Sequence, residues 1–176
     1  MSGTNDAIVV SIVRTTDCVP FAPTRIRELV RFVCRRFRIR RASIDLAITD
    51  NPGIRRVNRH FFASSAVTDC ISFDLTDPSE PGRCFSIIAN AELAQRQALL
   101  RGHSSRAELG LYIVHGMLHQ LGFDDLTVAE AERMHRKEDR LLEQAGYGIV
   151  YHNAVSSCCR RCSALSGPRS RRRSAP

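Results

Sequence analysis

The sequence predicts an α+β fold: a small mixed four-stranded β-sheet packed with about five helices, with a metal site on a helix followed by a glycine turn. Two observations point to it. The predicted element order is βαβαββααα, so strands and helices do not alternate strictly, and the last third is helical throughout. The strand candidates are short, β-branched and bounded by turn residues, whereas the helix candidates repeat their apolar residues every three or four positions.

Ala7–Arg14 is β-branched and apolar and reads as the first strand. Pro23 and Thr24 open a helix whose apolar stripe is Ile26, Leu29, Val30, Val33 and Phe37. In Ser43–Thr49, Ile44, Leu46 and Ile48 alternate with polar neighbours, the pattern of a half-buried strand. Asn51-Pro52-Gly53 makes a turn or helix start, and helical spacing follows at Ile54, Val57 and Phe61. Cys70–Leu75 and Phe85–Ala89 are short strands joined by a loop over Asp77–Gly82. Ala91–Arg101 is a helix ended by Gly102. Ser105 and Glu108 have capping-box spacing at the start of an apolar helix that Gly122 ends. Thr127 and Glu130 repeat that spacing before a last helix, which buries Met134, Leu141 and Leu142 and stops at Gly146.

The domain is expected to span residues 1–152. Residues 153–176 are expected to form a disordered basic tail rich in Cys and Arg. The net charge of +8 is unevenly spread, since this tail holds six arginines and no acid, leaving +2 for the rest. A high isoelectric point alone therefore says little about nucleic acid. The eight arginines from Arg25 to Arg41, opposed only by Glu28, are a sharper signal: they suit either phosphate contact or a solvated helix face. The seven cysteines, an odd number, fit buried thiols in a reducing compartment rather than a disulfide framework. Cys158, Cys159 and Cys162 suggest a zinc knuckle without an evident fourth ligand; a basic arm on phosphates, or an extension without function, accounts for the tail more simply. No apolar run has the roughly 20 residues of a membrane span, and the N-terminus lacks a secretory layout, so a cytoplasmic protein without membrane contact is expected.

The chemistry concentrates in residues 115–125. His115 and His119 are four apart on a helix, so both imidazoles share one face. Burying them unpaired would cost on the order of 1–3 kcal/mol each, and one metal ion satisfies both. Gly122 lets the chain reverse so that Asp124 or Asp125 returns toward the same ion. Three protein ligands and an open position form a catalytic zinc pattern, with another divalent transition metal as the variant. The spacing also fits metzincin proteases, but those need a glutamate after the first histidine, where this chain has Gly116.

These residues resemble the YbeY family of bacterial endoribonucleases, which act in ribosomal RNA maturation. The family signature His-Gly-x-x-His-x-x-Gly-[Tyr/Phe]-Asp-His stands here as His115 to Asp125, and its Thr-[Asp/Asn]-Val-[Leu/Ile]-Ser-Phe block as Thr68 to Phe73. Asn58 matches the preceding asparagine; Met134 and Glu138, with Leu141 and Leu142, match the closing helix. The chain thus looks like a divergent member in which Asp125 stands where the family has its third ligand histidine. Aspartate also binds zinc, so the implied ligand set is His115, His119 and Asp125. The family's arginine four residues after the asparagine is Phe62 here, with Arg59 the candidate substitute, and its Gly-[Asp/Glu] pair is Phe85-Ser86.

The resemblance implies a metal-dependent endoribonuclease specific for single strands, acting in maturation of the small-subunit rRNA 3′ end and in ribosome quality control. Its partners would be ribosomal RNA and ribosomal proteins, with Asn58, Arg59, Thr68 and Ser72 as substrate contacts. No general base is assigned; Asp124 and Glu108 are the nearest acids in sequence, and the RNA 2′-hydroxyl is an alternative nucleophile. A ribosome-assembly or RNA-binding factor with a mainly structural metal is the rival reading, and a metalloprotease the remote one.

Overall fold

A computed structural model describes residues 7–152. Its strands are β1 (Ala7–Arg14), β2 (Arg41–Thr49), β3 (Cys70–Asp74) and β4 (Arg83–Asn90). Its helices are α1 (Pro23–Arg36), α2 (Asn51–Phe62), α3 (Ala91–Arg101), α4 (Ser105–Gln120) and α5 (Val128–Gln144). The expected α+β class, element order and mixed four-stranded sheet are all present. The expectations for the tail, its cysteines included, fall outside the described residues.

The strands lie in the order β1-β2-β4-β3, with β1, β2 and β4 parallel and β3 antiparallel to β4. Parallel neighbours cannot be joined by a tight hairpin, so α1 crosses between β1 and β2, while α2 and β3 lie between β2 and β4. Alternation puts Ile8, Val10, Ile44, Leu46, Ile48, Phe85, Ile87 and Ala89 on one buried face. The buried stripe of α1 and nearly the whole circumference of α4 join them in a single core. α2 takes the opposite face, where Phe61 and Phe62 meet Phe73 of β3. β1 is an edge strand, and α1 reaches it through side chains: Arg27 and Arg31 donate from Nε to the carbonyls of Val10 and Ile8, each at 3.4 Å.

One local expectation is corrected. Ser104, not Ser105, caps α4, accepting from the Ala107 N–H, and Glu108 is not part of a capping box there. Glu108 is fully buried and serves a longer-range purpose: its carboxylate takes Arg101 Nη1 at 3.0 Å on one oxygen and His103 Nε2 on the other. The second capping box, Thr127 with Glu130, is present. Cys18, Cys34, Cys70 and Cys84 are free thiols, and burial pushes the Cys34 thiol up to about 11.

Candidate metal centre

α4 runs across the sheet at close range because residue 116 is glycine. A Cβ there would meet Ile87 Cγ2 at 3.0 Å and Cys70 Sγ at 3.4 Å. The same contact leaves no room for the glutamate that a metzincin mechanism needs. On either side of this contact, His115 and His119 face a cleft of about 1,070 Å³ between α4, α5, the 66–72 segment and the face of α3 that carries Leu93, Gln97 and Arg101. α4 ends at Gln120, and Gly122 turns the chain at φ +84°, a left-handed conformation that glycine adopts without a Cβ penalty. Asp125 then returns to the histidines.

The Nε2 atoms of His115 and His119 are 3.0 Å apart. Asp125 lies 3.8 Å from the first and 3.9 Å from the second. The three donor atoms all fall within 4.8 Å of one another. A tetrahedral zinc with bonds of about 2.0–2.2 Å sets its ligand atoms roughly 3.3–3.6 Å apart, so these side chains fit an ion with small adjustments. Asp124 plays a different part, its Oδ1 accepting the Asp125 N–H at 2.8 Å.

Behind His115 stands Glu138 of α5, 1% exposed. One oxygen is 2.7 Å from His115 Nδ1 and the other 2.9 Å from His135 Nδ1. Burial alone would raise the Glu138 pKa, but the hydrogen bonds and charges of the two histidines more than offset it and hold the group below its ordinary range. An ionised carboxylate only accepts, so both Nδ1 atoms donate, and the lone pair of either ring in its neutral form lies on Nε2. For His115 that lone pair faces His119 and Asp125. Burial acts to lower its pKa, yet Glu138 outweighs burial and leaves it raised.

The expected substrate contacts are placed unevenly. Asn58, Thr68 and Ser72 line the cleft, and Arg59 is exposed on α2 without lining it. Asn58 donates to the Ala66 carbonyl at 2.9 Å, which shapes the 63–69 segment. Thr68 donates to Asp69, and Ser72 accepts from Gln120. Asn90, fully buried, donates to the Thr68 carbonyl and caps α3, tying this rim to the sheet. Of the acids proposed as bases, Glu108 is fully buried on Arg101 and His103, and Asp124 caps a turn.

His135 and Tyr151 went unnoticed in the sequence. Both line the cleft, with rings stacked at 3.5 Å and 12°. The only hint was local, a histidine three residues before a glutamate on one helix. Nothing in that spacing connects it to His115, 20 residues away.

The family model described as Endoribonuclease YbeY matches residues 14–146. The Endoribonuclease YbeY of Bacillus velezensis is 32% identical over 152 residues, 80% of this chain and 97% of that protein. That of Bacillus subtilis strain 168 is 33% identical over 132 residues, 69% of this chain and 84% of its own. Among solved structures, a solution structure of a Thermotoga maritima protein superposes with a TM-score of 0.52 at 17% identity, covering 93% of this chain and all of the other, a likeness of fold. The signature residues that converge on the cleft floor are therefore carried on a matching sequence of domain length, and the chain belongs to the YbeY family.

Proposed function

We propose that this protein is a metal-dependent endoribonuclease that cuts single-stranded RNA and acts in ribosomal RNA maturation, at the small-subunit 3′ end, and in ribosome quality control. His115, His119 and Asp125 hold one zinc or another divalent transition metal. The observation that carries the reading is their convergence at the floor of an open cleft, with Glu138 fixing the His115 tautomer. The relatives' name, endoribonuclease, supplies the substrate class. When bound, such an ion supplies Lewis acidity toward a phosphoryl oxygen and a lowered water pKa.

The chain's own residues do the rest. Glu138 holds His115 in its ligating tautomer and orients His135. His135 lines the cleft, and its Nε2 has no hydrogen-bond partner among the described residues; in this reading it accepts a proton from the attacking hydroxyl, of water or of the RNA 2′ position, and returns it to the leaving oxygen. Asn58, Thr68 and Ser72 order the wall along which the strand lies, and Arg59 offers a cation nearby. The domain covers residues 1–152, residues 153–176 are a basic extension, and ribosomal RNA and ribosomal proteins are the partners, in the cytoplasm. No helix among the described residues is long and apolar enough to cross a membrane.

A second reading, an RNA-binding assembly factor with a mainly structural metal, draws on one observation: Asn58, Thr68 and Ser72 all spend polar atoms inside the fold. Cleavage of RNA by the purified protein, with and without chelator and with His115→Ala as control, separates the two. Cleavage that survives both chelator and substitution would remove the metal from the reaction; no cleavage at full metal loading would favour the assembly factor.

A further inference from the structure

Three phenylalanines meet where α2 covers β3, and one of them, Phe62, lines the cleft. Phe61 and Phe62 end α2, and Phe73 stands on the β3 face that α2 covers. The Phe61 ring lies 4.9 Å from that of Phe73; Phe62 lies 6.1 Å from it, with the two planes within 6° of parallel. Phe61 and Phe62 are 59% and 56% exposed, and no other phenylalanine in the chain is exposed to that degree. A contiguous aromatic patch left in water marks a binding surface more often than a single exposed apolar side chain does. Phe62 also lines the cleft, so the patch runs into the candidate metal centre.

Its surroundings select the partner. α2 carries Arg55, Arg56 and Arg59, all exposed, and has no acidic residue. None of the three makes an ion pair among the described residues, so their charge is available to an anion. Aromatic faces flanked by unneutralised guanidiniums suit a single-stranded nucleic acid, whose bases stack on the rings while its phosphates meet the cations. A duplex keeps its base faces stacked internally and cannot use the rings.

We propose that Phe61 and Phe62, braced by Phe73, are a stacking platform for one or two unpaired nucleobases beside the metal centre. Selectivity for unpaired RNA is then read by these rings and not by hydrogen bonds to base edges. The inference rests on the endoribonuclease reading only in that the strand continues into the cleft.

The test compares two 2′-O-methyl oligonucleotides of equal length, one with bases and one abasic, in equilibrium binding to the full chain, with strands shown to be intact after the measurement. Both side chains are exposed, so Phe61→Leu and Phe62→Leu should fold normally, with melting curves as the control. Each substitution should weaken binding of the base-bearing strand on the order of 5- to 10-fold, while Phe62→Tyr restores it. Abasic binding should stay within about twofold and the salt slope should not change, because no phosphate contact is lost. Equal losses on both strands, no loss, or no binding of either strand would overturn the platform. Chelator-sensitive cleavage by the unsubstituted protein is scored separately. Cleavage without base-dependent losses removes the platform alone; base-dependent losses without cleavage keep the platform and remove the nuclease reading.

Discussion

The Glu138 carboxylate stands 2.7 Å from His115 Nδ1, on the far side of the ring from the other two candidate ligands. Its second oxygen holds His135 at 2.9 Å, so one buried group sets the orientation of two rings. Glutamine keeps the shape but has only one accepting oxygen. Glu138→Gln should therefore weaken metal binding by about 10- to 100-fold, the usual effect of losing a ligand's outer partner. Competition against a chromophoric chelator measures this, and an unchanged affinity would show that His115 needs no such support.

His135 touches no candidate ligand in any hydrogen bond, which separates its two conceivable roles. His135→Gln should keep a full equivalent of metal and lower the cleavage rate by roughly 10²–10⁴-fold, the range for a lost proton-transfer group. Elemental analysis and single-turnover cleavage on one preparation suffice. Loss of metal together with activity would make His135 a support for the site instead.

The ligand assignment is tested by the neighbouring aspartates. His119→Ala and Asp125→Ala should each remove most of the metal. Asp125→His should retain it, because histidine stands at that place in the family signature and imidazole also binds zinc. Asp124 accepts the Asp125 N–H, so Asp124→Ala should keep most of the metal and loosen the turn. Full metal in Asp125→Ala with loss in Asp124→Ala would reverse the two roles.

The segment around Tyr151 should respond to pH. Asp139 accepts the N–H groups of Val150, Tyr151 and His152, and the His152 ring. Burial acts to raise the Asp139 pKa, but those bonds hold it below its ordinary value. The hydrogen bond that the His152 ring donates to Asp139 holds the His152 pKa above its ordinary value, helped by the charges of Asp139 and Glu132. The Asp139 contribution is complete above about pH 4 and fades as pH falls through its depressed pKa. The His152 contribution is complete below about pH 6.5 and fades as pH rises through its raised pKa. The anchor is therefore firmest between those limits. Protection against hydrogen exchange at residues 150–152, taken relative to the intrinsic rate at each pH, should be greatest in that window, and Asp139→Asn should flatten the profile.

Much of this was legible in the chain because its signals are local. Periodicity, Gly102, Gly122 and the Thr127–Glu130 box delimit elements without reference to distant residues. The order of strands was not legible, since β3 pairs beyond β4 through contacts that no spacing encodes. The Ser104–Ser105 pair left the α4 cap ambiguous by one residue, and Glu108, which suits a capping box, is drawn instead to Arg101 and His103. The candidate ligands could be picked out because two of them share a helix face. His135 and Tyr151 could not, because only the packing of α5 and residues 150–152 brings them to the cleft. The arginines of α1 also divide in a way the sequence left open: Arg25 pairs with Glu28, and Arg27 and Arg31 turn to β1.

That last arrangement bears on how copies of the protein behave toward one another. An open sheet edge offers its carbonyls to any passing strand, and this is a common route to fibrils. Two positively charged side chains laid over the Ile8 and Val10 carbonyls occupy acceptors that an intruding chain would need, and repel a second molecule presenting the same edge. Two of the α1 arginines thus cover part of the β1 edge, a contact that involves neither the cleft nor the candidate ligands.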